Sequence, residues 1–335
     1  MANMIFQIEP DSDVPKYKQL IQSVYYAIEN KQLHLGDKIP SINVITKELS
    51  LSRDTVLTAF NELRTRGIIA STPGKGYYVN STQIEREQKI FLLFDELNAF
   101  KEQLYNSFTD AVKGKASVDI YFHYFNKRVF QHLILENLNQ YTTYVIMPVY
   151  FKNIRPVVSQ IEQANVYLLD QLNPELGPHY PAVFQNFQKD IYQALESGMA
   201  LLKKYRTMIM VHPGGKEPMG MLEGFRKFSL DYRFPHRVIH DLKGREIQKG
   251  ELYIVPNDLD LVTLVKESKR KDLTLGSELG IISYNDTPLK QVVADGITTI
   301  STDFDAMGRT LARMILNKQN QHIENPASLI IRNSI

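Results

Sequence analysis

The run Leu51-Ser52-Arg53-Asp54-Thr55-Val56-Leu57-Thr58-Ala59-Phe60-Asn61-Glu62-Leu63 decides how the first part of this chain is read. Val56, Phe60 and Leu63 recur at helical spacing, and Ser52 stands ahead of them as a capping hydroxyl. The spacing predicts a helix that starts at Ser52 and ends at Gly67. Upstream, Ser50-Leu51 makes a tight break after a shorter helix that begins at Pro40-Ser41. There Ser41 is placed to cap, and Val44, Ile45 and Leu49 are placed to be buried. Further upstream, Tyr17, Leu20, Ile21, Val24 and Ile28 mark an amphipathic helix with Pro15 near its first turn, stopping before Gly36-Asp37. Downstream, strand-like residues 68–71 and 77–79 flank Thr72-Pro73-Gly74-Lys75-Gly76, which reads as an exposed hairpin tip. Three helices followed by a hairpin is the plan of a winged helix-turn-helix, an α+β unit.

In that plan the third helix enters the major groove of double-stranded DNA, and the hairpin reaches phosphate or the minor groove. Ser52, Arg53, Asp54 and Thr55 crowd the first turn, where side chains reach base edges and backbone N–H groups face phosphate. Arg53 can approach guanine bidentately. Taken singly, Ser52 reads equally well as a plain cap and Arg53 as a solvated charge; the ordered set of elements favours DNA. Gly74 and Gly76 permit a tight tip that carries Lys75 outward.

These residues resemble the GntR family. The matching pieces are Pro15-Lys16-Tyr17, Leu35-Gly36-Asp37-Lys38-Ile39-Pro40-Ser41, Leu51 to Val56, Ala59 to Leu63, Gly67-Ile68-Ile69 and Pro73-Gly74-Lys75-Gly76-Tyr77-Tyr78-Val79. The resemblance implies operator binding as a homodimer, with Ser41, Arg53, Thr55 and the glycine-rich wing at the DNA. Asn43 stands where many members carry arginine.

At 335 residues the chain calls for two or three compact units. Its hydrophobic share of 43% and charged share of 23% are those of soluble globular protein. No run approaches the ~18 apolar residues that span a bilayer, and the start lacks the segments of a signal peptide. With no cysteine there is no disulfide framework, thiol nucleophile or Cys-ligated zinc. These features point to the cytoplasm and away from membranes. The net charge of +2 leaves a DNA-binding reading to local pattern alone.

The polar residues 81–88 read as a linker between a unit at 1–80 and a larger one at 89–335. Beyond it, strand candidates fall at 90–94, 118–122, 144–147, 166–169, 208–211, 237–239, 252–255, 279–283 and 298–301, with helices such as 100–112, 191–202 and 305–316 between them. That alternation predicts an α/β fold of two doubly wound lobes, whose ligands sit beyond the carboxyl ends of the strands. Asp95-Glu96, Pro256-Asn257-Asp258 and Tyr284-Asn285-Asp286 follow three of the candidates. Asn and Asp suit sugar hydroxyls, although strand ends favour the same residues for turns.

This part is similar to the LacI/GalR effector domain and the type I periplasmic-binding-protein fold. Gly224-Phe225, Val255 to Asp258, Leu279 to Asp286, Ile297 to Asp303 and Met307-Gly308 carry the likeness. It implies that Asp95, Asn186, Asn257 and Asn285, with Asp286 beside them, line a cleft. The arginine usual before the Gly-Phe pair is absent; Met219 to Leu222 stand there, leaving Lys216 or Glu217 as substitutes. The usual Asp-Asp pair reads Asn285-Asp286. A GntR-type reader joined to such a sensor is similar in layout to the arabinose repressors of Gram-positive bacteria.

His236 and His240 stand four apart but run into a strand, so no metal site is expected. His212-Pro213-Gly214-Gly215-Lys216 lacks P-loop spacing, and no catalytic triad or cofactor lysine can be nominated. The remaining alternatives are a sugar-binding transport protein and a regulator with a pyridoxal-phosphate domain. The expectation carried forward is a non-enzymatic, DNA-binding regulator of carbohydrate metabolism, controlled by a small sugar or derivative between the two lobes.

Overall fold

A computed structural model of the chain describes residues 5–10, 12, 14–82 and 88–335. Its contacts divide the chain into Met1–Glu87 and Gln88–Ile335. Of the expected linker 81–88, residues 83–87 lie outside the described residues, as do residues 1–4 of the N-terminal segment read above.

In the first unit, α1 (Lys16–Glu29) buries Leu20, Ile21, Val24, Tyr25 and Ile28 along one face. Pro15 precedes it with φ −52, already suited to a helix start. A two-residue strand, β1 (Lys38–Ile39), follows. α2 (Ile42–Leu49) is capped by Ser41, whose Oγ accepts from Val44 N at 3.4 Å. α3 (Arg53–Thr65) is capped by Ser52, whose Oγ accepts from Thr55 N at 3.2 Å. β2 (Ile69–Thr72) and β3 (Gly76–Val79) pair antiparallel with Thr72 opposite Gly76, and β1 adds to the free edge of β3. The wing turn is closed by Lys75 N donating to Thr72 O at 3.0 Å. Gly74 at φ +73 and Gly76 at φ +113 lie where a side chain would be strained.

Leu20, Val24, Ile45, Val56 and Leu63 are fully buried in this unit. Val44 corrects the sequence reading: it is 38% exposed. One residue around the helix is about a hundred degrees, so Val44 is turned off the face that Ile45 buries.

The second unit runs β4 (Gln88–Phe94), α4 (Ala99–Val112), β5 (Ala116–Phe122), α5 (Lys127–Glu136), β6 (Thr143–Ile146), α6 (Arg155–Val158), β7 (Val166–Asp170) and β8 (Ala182–Phe184). It continues α7 (Phe187–Ser197), α8 (Met199–Leu202), β9 (Thr207–Val211), α9 (Met219–Asp231), β10 (His236–Ile239), β11 (Glu251–Val255) and α10 (Asp258–Arg270). The remainder is β12 (Leu279–Tyr284), α11 (Pro288–Val292), β13 (Thr298–Thr302), α12 (Phe304–Leu316), β14 (His322–Glu324) and β15 (Ala327–Ile330).

These strands form two sheets, one per lobe. One has the order β14-β8-β7-β6-β4-β5, all parallel; the other has β10-β9-β11-β12-β13-β15, parallel except where β13 meets β15. Helices cover both faces. On β4, Phe91 and Leu93 join the core beneath α5 and α6, while Ile90, Leu92 and Phe94 join that of α4 and α12. Strands buried on both sides carry apolar runs without alternation. α12 meets α4 so closely that a Cβ on Gly308 would lie 2.7 Å from the Leu104 carbonyl oxygen.

The chain passes between lobes after β8, after β13 and between β14 and β15. Asn325, 2% exposed, binds these crossings together. Its N donates to Phe184 O, and its Nδ2 donates to Thr302 Oγ1 and Asp303 O, each at 2.8 Å. β8, β14 and β15 were not among the expected strands, and the expected helix at 191–202 is broken at Gly198 into α7 and α8. No helix among the described residues is long and apolar enough to cross a membrane.

Candidate nucleic-acid interface and inter-lobe cleft

At the head of α3, Arg53 and Asp54 are exposed in the first turn. Ser52 and Thr55 are engaged with each other, their hydroxyls 2.8 Å apart in addition to the cap bond. Ser41 likewise caps α2. These three hydroxyls therefore hold the helix starts whatever else they touch. Lys75 is exposed at the wing tip, and its carbonyl accepts from Tyr78 Oη at 3.2 Å.

In the second unit the polar residues gather at the carboxyl ends of both sheets. Lys101 of α4, 3% exposed, places Nζ 2.8 Å from Asp170 Oδ2, 3.2 Å from Asp95 Oδ1 and 3.2 Å from Met147 Sδ. Gln185 Nε2 donates to Asp170 Oδ1. Burial alone would lower the Lys101 pKa, but the Asp170 and Asp95 carboxylates outweigh it and hold the ammonium charged. Burial raises the Asp95 carboxyl against the pull of Lys101, and the neighbouring Asp170 carboxylate adds to the rise. Beside them His123 is fully buried, with Nε2 3.1 Å from Met147 O and Nδ1 without a partner among the described residues. Burial pushes its imidazole down to about 4, so the ring is neutral.

In the opposite lobe, Asn257 caps α10: Oδ1 accepts from Asp260 N at 2.9 Å and Nδ2 donates to Asp260 Oδ2 at 2.7 Å. Asn285, on the neighbouring strand end, has φ +58 and a buried Oδ1 without a partner among the described residues. Lys290, 4% exposed, fixes that turn by donating to Tyr284 O at 2.6 Å and Asn285 O at 2.9 Å. Burial would raise the Asp286 carboxyl, but Arg332, at 2.7 and 2.8 Å, and Thr299 hold it below the ordinary range. Burial raises Glu217. Lys216 Nζ reaches across to Glu96 at 3.0 and 3.1 Å and lies 5.6 Å from the Phe125 ring centre. Asn186 caps α7 at the crossing, and its Nδ2 donates to Glu324 Oε2 at 3.1 Å.

Of the six cleft residues expected from sequence, Asp95 is drawn into the Lys101–Asp170 cluster and Asn257 and Asn285 end adjacent strands. Asp286 is held by Arg332, Asn186 stands at the lobe crossing, and Glu217 follows the residue that bridges the lobes. Lys101, Asp170, Gln185 and His123 were missed. Asp170 ends a strand as Asp95 does, which was a usable signal; nothing local marks Lys101.

Residues 16–79 match the family described as "Bacterial regulatory proteins, gntR family". HTH-type transcriptional repressor YtrA of Bacillus subtilis is 31% identical over 107 residues, 32% of this chain and 78% of the relative. The chain belongs to the gntR family of bacterial regulatory proteins. Residues 205–335 of the regulator match the "Periplasmic binding protein-like domain". The regulator is also similar to HTH-type transcriptional regulator YdfD of B. subtilis, 39% identical over 66 residues, of which it covers only 14%. The Arabinose metabolism transcriptional repressor of Geobacillus stearothermophilus is 22% identical, over 97% of the regulator and 98% of the relative.

Among solved structures, the lac repressor dimer bound to operator and the anti-inducer ONPF superposes with TM-score 0.61 at 16% identity, covering 74% of the regulator and 94% of that chain. A LacI family regulator from Lactobacillus casei with bound glucose gives 0.58 at 13%, covering 74% and 99%. The regulator is thus a winged helix-turn-helix joined to a LacI-like periplasmic-binding-protein fold.

Proposed function

We propose that the regulator binds operator DNA as a homodimer through residues 1–80, and that a small sugar or derivative, bound between the lobes of residues 89–335, controls that binding. Arg53, Asp54 and Lys75 reach the DNA, with Ser41, Ser52 and Thr55 setting the helix ends beside phosphate. The observation that carries the cleft reading is the Glu96–Lys216 bridge, which sets the two polar strand ends opposite each other. Asp95, Asp170 and Asn285 offer hydroxyl partners there, while Asn257 caps the helix beside them. The full-length likeness to a repressor named for arabinose metabolism supports a sugar as effector.

Closure of the lobes on the sugar changes the spacing of the two DNA readers, and ligand and operator alter each other's affinity by one factor. The protein works in the cytoplasm and as a regulator, not an enzyme. A thermal-shift panel of monosaccharides and their phosphates, followed by operator binding with the hit, tests this. One sugar should raise the melting temperature and change operator affinity; no response to any sugar overturns the effector assignment.

A further inference from the structure

The outer face of α3 carries one apolar side chain that the domain core does not use. The helix buries Val56, Ala59, Phe60 and Leu63. The partly buried residues packed against that core include Ile42, Leu49, Leu51 and Tyr77, but Leu57, itself half-buried, is not among them. Leu57 follows Arg53 by four residues, one helical turn further along the same face. Next to it, Thr58 turns its hydroxyl back onto the helix, Oγ1 donating to Asp54 O at 2.8 Å. One apolar side chain therefore lies one turn inside the Arg53 position, on a helix end otherwise polar or charged.

The major-groove edges of the bases present donors, acceptors and a single apolar group, the C5-methyl of thymine. From the placement of Leu57 beside Arg53, we infer that Leu57 reads a thymine methyl in each operator half-site, next to the base that Arg53 reads. Leucine has neither donor nor acceptor, so against any other base at that step it leaves polar edge atoms desolvated and unpartnered. Leu57 thus sets specificity at one position, while Arg53 supplies the charged contact. This rests on α3 being the helix that enters the groove.

The test starts from an operator selected out of random duplex DNA with the full chain. Each thymine of a half-site is then replaced singly by deoxyuridine, which removes only the methyl group. For the parent protein, one such replacement should weaken binding about three- to ten-fold. Leu57→Ala should bind the unmodified operator weaker by a similar factor and be indifferent to that replacement. Leu57→Gln should, in a fresh selection, shift the preferred base at that position from thymine towards adenine, whose N6 and N7 suit an amide. This second variant keeps a side chain of similar length should the alanine variant melt early.

Methyl dependence at no thymine, or dependence of equal size in parent and Leu57→Ala, overturns the assignment. Arg53→Ala run beside these variants separates the two levels of the reading. Loss of binding there, without any methyl effect, removes the role of Leu57 alone; unchanged binding removes α3 from the groove and this inference with it.

Discussion

The ammonium of Lys216 lies 3.0 Å and 3.1 Å from the two carboxylate oxygens of Glu96, joining the loop after β9 in one lobe to the end of β4 in the other. The side chains are 48% and 28% exposed, so the pair contributes under about 1 kcal/mol to folding. Its effect falls on the separation of the lobes. Glu96→Gln should leave the melting temperature within about 3 °C of the parent and broaden the inter-lobe distance in the absence of effector. The chain has no cysteine, so spin labels at Tyr150→Cys and Lys243→Cys report that distance without background. An unchanged distribution means the lobes are held by the crossings alone.

Among the described residues Lys101 alone is paired as a cation with Asp95 and Asp170, and all three are buried. Lys101→Met leaves two carboxyls facing each other without a counter-charge and should cost about 3–5 kcal/mol at pH 7 by urea unfolding. The loss should shrink as pH falls and the carboxyls take up protons. Adding Asp170→Asn should recover part of it. A loss that is independent of pH would assign the effect to packing.

Asn257 and Asn285 end neighbouring strands but are used differently. Both polar ends of Asn257 are engaged by Asp260, whereas Asn285 Oδ1 has no partner among the described residues. Asn257→Ala should therefore lower stability by about 1 kcal/mol as a lost helix cap. Asn285→Ala should instead cost on the order of 1–3 kcal/mol of effector affinity. Calorimetry with the sugar from the thermal-shift panel and urea melts of both variants distinguish these outcomes. Equal affinity losses would return Asn257 to the binding set.

Burial, with the Glu324 carboxylate nearby, pushes the Asp190 carboxyl up to about 7 from an ordinary 3.8. A raised acid favours its protonated form in the fold, so this contribution is complete below the unfolded value and is lost as pH rises through 7. Relative to Asp190→Asn, the parent should lose stability between pH 4 and pH 8. At pH 8 the variant should be the more stable by on the order of 1–2 kcal/mol. Chemical unfolding at both pH values measures this, and a gap of constant size excludes it.

At the wing, Lys75 is exposed beside glycines whose positive φ shapes the tip. Lys75→Ala should weaken binding to all sequences about equally and make the dependence of log affinity on log salt shallower by roughly one unit. A change of sequence preference at constant slope would assign Lys75 to base reading.

Much of this was legible before any coordinates. Ser41 and Ser52 stand one residue ahead of apolar-periodic runs, and both cap as their positions imply. The strands of the second unit were found because both faces of each sheet are covered, which leaves near-continuous apolar runs. β8, β14 and β15 were not, since runs of three or four residues are too short to carry a period.

What the sequence determined by itself is the local layer: helix starts set by capping hydroxyls, a wing set by glycines, and the strand–helix alternation of two lobes. These depend on interactions within a few residues. Only the tertiary structure decided which polar groups meet. Lys101 lies six residues from Asp95 and 69 from Asp170 in sequence, and Asn186 lies 138 from Glu324. Such pairs form because the parallel sheets bring distant strand ends to one edge, where buried charge must find a counter-charge. No local pattern of residues records that requirement.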